Sequence, residues 1–225
     1  GWGIVPPSRR VVRRMRAGEK MRRRSMLRLL GSVALGGWLA AAAGAEAKPD
    51  ELIRRMSEEI LQTIKADPAL QAGNVDKLLA LVDAKAMPHV DLARMTSAAV
   101  GRNWRQATPA QQQRLQEEFK LLLVRSYAGG LKAVRDQTVF MKPSRANADD
   151  TEVVVRTELR SKGEPVQLDY RMEKRDGGWK IYDVNVLGVW MVEQYRPVFT
   201  QEIAAGGIDG LIAYLAERNK GAAKT

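Results

Sequence analysis

The chain has 225 residues, no cysteine, one histidine and a formal charge of +11. Ten of its basic residues fall in residues 1–47 against two acids, leaving 27 bases and 24 acids beyond, so the body lacks the concentrated basic face that a phosphate-backbone binder needs. The absence of cysteine excludes a disulfide framework and a lipoprotein attachment site.

Residues 1–20 read as sequence upstream of a start at Met15 or Met21. From Met21, Arg22, Arg23, Arg24 and Arg28 form a charged leader, and Leu29 to Ala45 is an uncharged run of 17 residues. Two small-x-small sites follow, Ala43-Gly44-Ala45 and Ala45-Glu46-Ala47, which predict an export signal cleaved near Ala45 or Ala47. A spanning helix needs about 20 predominantly apolar residues; this run is shorter and diluted by Gly and Ala. Arg23-Arg24 followed by Ser25-Met26-Leu27 also resembles a twin-arginine signal. The expected organisation is an upstream and leader region 1–47, one domain 48–219, and a frayed tail 220–225.

In the mature chain, Leu52, Met56, Ile60 and Ile64 recur every four positions and predict a helix from Pro49 to about Ala66, closed at Asp67-Pro68. A second helix is expected over about Val75 to Ala86 and a third from about Asp91 to Val100, ended by Gly101. Thr108-Pro109-Ala110-Gln111 is a capping box with proline at the first helical position. The helix it starts runs to about Val134, weakened at Gly129-Gly130.

The period then drops to two. Thr138–Lys142, Thr151–Arg160, Pro165–Arg175 and Trp179–Val186 predict four antiparallel strands, with Asp176-Gly177-Gly178 as a hairpin turn. Val153, Val155, Thr157 and Leu159 share one face with Val166, Leu168, Tyr170 and Met172, and the other face is expected to be solvated. Val192, Tyr195, Phe199 and Ile203 then mark a helical stripe interrupted by Pro197, with a break at Gly206-Gly207. Helices, an antiparallel meander, then helices define an α+β fold.

The chain carries few groups suited to chemistry. His89 alone cannot form a zinc-type site, Asp149-Asp150 lacks a calcium-loop framework, and no serine-nucleophile or phosphate-loop motif is present. One enzymatic alternative is an Asp183 and Tyr170 or Tyr182 pair inside an apolar cone, acting on an apolar carbonyl compound; Asp183 could equally pair with Lys180 or Arg171.

Several short motifs, in order, resemble those of the MlaC-like (toluene-tolerance) family of periplasmic lipid shuttles. They are Met87-Pro88-His89-Val90, Val100-Gly101 with Trp104 and Ala107–Gln111, Trp179–Val184, Gly188-Val189 with Tyr195-Arg196, and Gly207–Leu211. His89 replaces an aromatic, Trp190 a small polar residue, and Pro197 is a further departure. The resemblance implies helices packed on a curved sheet of about four strands, enclosing an elongated apolar pocket for the acyl tails of a glycerophospholipid. It implies a periplasmic carrier, without catalysis or cofactor. Such a carrier moves lipid between an outer-membrane lipoprotein–porin complex and an inner-membrane ABC transporter with a lipid-binding ring, and so maintains outer-membrane lipid asymmetry.

On this reading the tail-facing residues are Tyr127, Leu131, Val155, Leu168, Tyr170, Met172, Trp190, Val192, Tyr195 and Phe199. Arg54, Arg55, Arg102, Arg105 and Arg196 are candidates for head-group or partner contact. A protein-binding periplasmic adaptor without ligand is the other alternative.

Overall fold

Asp67, Asn74, Asp91 and Thr108 each begin a helix by accepting a hydrogen bond from a backbone N–H two or three residues ahead, at 2.8, 3.0, 2.8 and 3.2 Å. Such caps contribute about 1 kcal/mol apiece. The structure, a computed structural model, describes residues 47–143, 147 and 149–221. The expected upstream segment and leader lie outside the described residues except for Ala47, as does the end of the tail.

The helices are α1 (Pro49–Ala66), α2 (Pro68–Gln71), α3 (Val75–Lys85), α4 (Leu92–Val100), α5 (Pro109–Ala128) and α6 (Met191–Gly221). The capping box forms in both directions, with Gln111 Oε1 accepting from the Thr108 N–H at 2.9 Å. α5 tightens into a 3-10 turn, Gly129–Ala133, where the paired glycines stand. α4 ends at Gly101, whose φ of 72° suits a residue without Cβ. Pro197 lies within α6 rather than interrupting it, and the expected break falls at Gly207, where φ 68° and ψ −166° occupy a region open essentially to glycine alone.

The sheet is a five-stranded antiparallel meander in the order β1 (Thr138–Met141), β2 (Glu152–Arg160), β3 (Val166–Arg175), β4 (Gly178–Val186) and β5 (Val189–Trp190). Val153 pairs with Met172, Val155 with Tyr170 and Thr157 with Leu168, the expected inner face. The fifth strand escapes sequence reading because two residues carry no period.

A β-bulge between β3 and β4 sets the facing of the last residues of β4. Met172 pairs with Ile181, but Arg171 pairs with Asp183 and Tyr170 with Val184. Strict alternation along Trp179–Val186 would put Asp183 on the inner face with Trp179 and Ile181. The extra residue turns it to the other face, beside Arg171. Near the end of β4 that other face is not solvated as expected: Asp169, Asp183 and Asn185 are all buried there.

α1 lies across the inner face, and its buried residues are Ile53, Met56, Leu61 and Ile64 rather than an even every-fourth stripe. Ile53 and Met56 pack on the sheet, while Leu61 and Ile64 pack among the other helices. One helix serving two neighbours at different ends must rotate its buried stripe along its length.

The motifs quoted above meet in space. Asp91 N donates to Ile181 O at 2.8 Å, and Val90 forms a parallel bridge with Ile181, so the Met87–Val90 segment lies beside β4. Gln111 Nε2 donates to Asp209 Oδ1 at 2.7 Å, joining the start of α5 to the second half of α6.

Candidate functional site

Four of the ten expected tail-facing residues come together under α1. Val155, Tyr170 and Met172 are buried with Val153, Trp179 and Ile181 against Ile53 and Met56, and Leu168 flanks them. Burial raises the Tyr170 phenol above its usual range, and its hydroxyl lies by Ser57 and Thr157.

Val192, Tyr195 and Phe199 belong to a second apolar cluster, between α6 and the α4 and α5 helices. Phe119 meets Tyr195 and Phe199 edge-on at ring-centroid distances of 5.2 and 5.1 Å. Such pairs add about 0.5–1.5 kcal/mol beyond burial. Tyr127 is half-exposed at the rim, donating to Met191 Sδ at 3.1 Å; burial and the nearby Tyr195 raise its pKa. Leu131 sits in a third cluster with Leu61, Ile64, Leu78, Leu81 and Val124.

These three clusters share no fully buried residue. Partly buried Val90 and Val184 touch the first and second, and Ile60 touches the first and third. A domain ordinarily has one contiguous core plus small satellites. Here three apolar groups of comparable size, one of them built on the sheet itself, are joined through these partly buried residues.

Trp190 is not brought together with the others. It pairs with Asn185 at the sheet edge and lies under the Arg171 guanidinium, 3.9 Å from ring centroid to Cζ. The same guanidinium binds Asp183 Oδ2 and Glu193 Oε1, each at 3.0 Å. Asp183 Oδ1 also accepts from the N–H groups of Val184 and Val192, at 2.9 and 3.1 Å. The Asp183 carboxylate beside the second residue of α6 satisfies an orphan donor and complements the positive end of the helix dipole. Burial nevertheless outweighs these bonds and raises the Asp183 carboxyl above its usual value of 3.8.

The catalytic pair considered from sequence therefore does not form. Tyr170 lies on the opposite sheet face from Asp183, and Tyr182 is covered by the Arg94 guanidinium at 3.6 Å. Asp183 instead pairs with Arg171, the structural partner also named from sequence.

A groove of about 600 Å³ opens at the other end of the molecule. One wall is a single face of α1, Leu52, Arg55, Met56 and Glu59. The others are Lys85, the Pro88-His89 turn and the start of β4 at Gly177–Lys180. None of the ten expected residues lines it. Of its charged groups, Arg55 was a head-group or partner candidate from sequence, and Lys180 was named only as a possible partner of Asp183; the 52, 55, 56, 59 spacing was the available signal. Arg54 is bound to Glu51 and Glu58, and Arg196 Nε donates to the Ala98 carbonyl at 3.0 Å. A second groove of about 560 Å³ runs past Val90–Ala93, Gln116, Arg175 and Lys180. Among the described residues no group of three or more His, Asp or Glu could hold a metal ion, and no helix is long and apolar enough to cross a membrane.

The fold is similar to that of a solved phospholipid-binding protein from Ralstonia solanacearum, determined in complex with a phospholipid. The two share 50% identity and a TM-score of 0.76, over 79% of this chain and 100% of that one. The family described as MlaC protein matches residues 54–217, and the chain belongs to that family. It is 26% identical to the toluene tolerance protein ttg2D of Pseudomonas putida, over 83% of this chain and 85% of that protein. It is 23% identical to the intermembrane phospholipid transport system binding protein MlaC of Haemophilus influenzae, over 77% of this chain and 83% of that protein.

Proposed function

We propose that this protein is a periplasmic phospholipid carrier. It holds the acyl tails of a glycerophospholipid between the inner sheet face and the helices. It passes the lipid between an outer-membrane lipoprotein–porin complex and an inner-membrane ABC transporter bearing a lipid-binding ring, and so maintains outer-membrane lipid asymmetry. The observation that carries the reading is the 50% identity to a protein solved with phospholipid bound, matched along that protein's whole length.

The grouping of the apolar residues, joined through partly buried Val90, Val184 and Ile60, supports it. Val155, Leu168, Tyr170 and Met172 supply the sheet wall; Val192, Tyr195, Phe199 and Tyr127 supply the second wall, and Leu131 the third. Apolar tails between these walls would complete one core. Trp190 drops out of this set because it stacks on Arg171 at the sheet edge. Burying each CH₂ is worth about 0.8 kcal/mol, so two tails of about 15 carbons hold on the order of 20 kcal/mol that a bare lipid would lose in water. The mechanism is an exchange of one dry environment for another, with no bond made or broken.

Mass spectrometry of protein purified under native conditions from a Gram-negative periplasm tests this. The expected result is a mass increment equal to a phospholipid, recovered by solvent extraction. Protein with no increment and no extractable lipid overturns the reading.

A further inference from the structure

We infer that the groove between α1 and the β3–β4 turn seats an anionic phosphodiester head group, so that the protein prefers net-anionic phospholipids to zwitterionic ones. The inference rests on the carrier reading above and adds head-group selection to it.

The charges of the groove are unevenly matched. Lys85 and Glu59 neutralise each other at 2.9 Å. Arg55 has one long contact, 3.5 Å to Glu51, and that carboxylate already takes two bonds from Arg54 at 2.7 and 3.0 Å. Lys180 Nζ donates to the Pro88 carbonyl at 2.5 Å, and no carboxylate lies within salt-bridge distance of it among the described residues. Its cross-strand neighbour Glu173 is held by Arg94 and Arg175. Two cations thus line one groove without full counter-charge. His89 lines the same groove; burial first, and then the repulsion of Lys180 and Arg55, lowers its pKa.

The groove is also apolar at its base. Met56 and Trp179 line it and are buried members of the cluster under α1. A phosphate at the rim would sit one side chain away from the tails proposed to lie beneath. A free inorganic anion has no use for such a base, whereas a diacyl phosphodiester uses both features. Charge-assisted hydrogen bonds from guanidinium and ammonium groups are the usual means of holding phosphate oxygens.

The test loads lipid-stripped protein from vesicles of equal phosphatidylglycerol and phosphatidylethanolamine and measures the ratio of bound lipids by mass spectrometry. The native protein should be enriched in phosphatidylglycerol, and the Arg55→Gln/Lys180→Gln variant should lose that enrichment about fivefold, the worth of one partly screened charge pair. Equal thermal melts and equal total lipid confirm that the variant is folded and loaded. An unchanged ratio in a loaded variant overturns the head-group assignment and leaves the carrier reading standing. No lipid in either protein overturns both. A preference abolished by millimolar inorganic phosphate, but not by chloride at matched ionic strength, assigns the groove to free anions and also overturns it.

Discussion

Removing the Asp183 carboxylate tests whether this acid anchors α6 rather than serving as a reactive group. In Asp183→Ala the N–H groups of Val184 and Val192 lose their acceptor, and Arg171 keeps Glu193 and the Trp190 ring. Leaving buried donors unpaired costs about 1–3 kcal/mol each; with Val184 only partly buried, the loss comes to about 3 kcal/mol. For a domain of this size that lowers the melting temperature by roughly 6–12 °C. Asp183→Asn keeps an acceptor for both N–H groups and removes a charge that burial already disfavours, so it should cost about 1 kcal/mol at neutral pH. The raised Asp183 pKa fixes the sign of the pH dependence. Between the ordinary value of 3.8 and the raised folded value the native state binds the proton more tightly, so the Asp183 contribution to stability improves as pH falls. The deficit of Asp183→Asn relative to the native protein should therefore widen from pH 7 to about pH 4. Denaturant titrations of the three proteins at both pH values measure this, with bound lipid quantified alongside and unchanged in Asp183→Asn. The anchoring argument fails if Asp183→Asn is as costly as Asp183→Ala at pH 7, or if its deficit shrinks on acidification.

Three further outcomes are expected. Gly207→Ala forces a Cβ into backbone angles that only glycine adopts readily and should lower unfolding free energy by about 1–3 kcal/mol; an unchanged denaturation midpoint would contradict the break in α6. His89, the single histidine, should titrate by NMR with a midpoint below 6.5, since burial and neighbouring cations disfavour its charge. The unfolded chain then takes up that proton first, and stability declines as pH falls below about 6.5; a midpoint at or above 6.5 refutes this. Leu187 is 66% exposed with φ 53°, so Leu187→Gly should relieve about 1–2 kcal/mol of left-handed strain against about 0.5–1 of added chain entropy. Thermal melts should show little change or a small gain, and a loss above about 1 kcal/mol would mean that the leucine makes a stabilising contact.

The elements were legible wherever local chemistry alone sets the backbone. Thr108–Gln111 announces a capping box because cap, proline and reciprocal glutamine all lie within four residues, and the inner face of β2 and β3 follows from unbroken alternation. What the local pattern leaves open has non-local causes. Asp183 sits where simple alternation turns it inward, and only the pairing of β4 with β3 reveals the extra residue that turns it outward. The expected break at Gly206-Gly207 is found at Gly207, whereas Pro197, expected to interrupt the stripe, lies inside α6; the Gln111–Asp209 bond ties the second half of α6 to α5. The candidate tail-facing set was legible as apolar periodicity, but not its division, since Val155 and Val192 carry the same inward pattern and fall in different clusters. That Lys180 and His89 share a groove with Arg55 was not legible, because the groove is assembled from α1, a turn and a hairpin far apart in sequence.

A carrier without disulfides faces a specific mechanical problem, because it must keep its walls in place whether or not a guest fills the interior. Apolar packing alone would tend to draw three separate clusters into one. The polar contacts lie where they resist this, at the joints of the shell. Asn219 Nδ2 donates to the backbone oxygen and carboxylate of buried Glu118 at 3.0 and 2.6 Å, fastening the far end of α6 to α5. Gln111 fastens the segment after Gly207 to the start of α5, and Asp183 with Arg171 fastens the near end of α6 to the sheet. Buried polar bonds are directional and costly to leave unmade, so they hold helix positions that hydrophobic burial leaves free to slide. On this argument, weakening the Asn219–Glu118 joint with Asn219→Leu should loosen the second wall. The variant should lose phospholipid to acceptor vesicles faster than the native protein while staying folded by circular dichroism. Release at the native rate would show that apolar packing alone holds the helices apart.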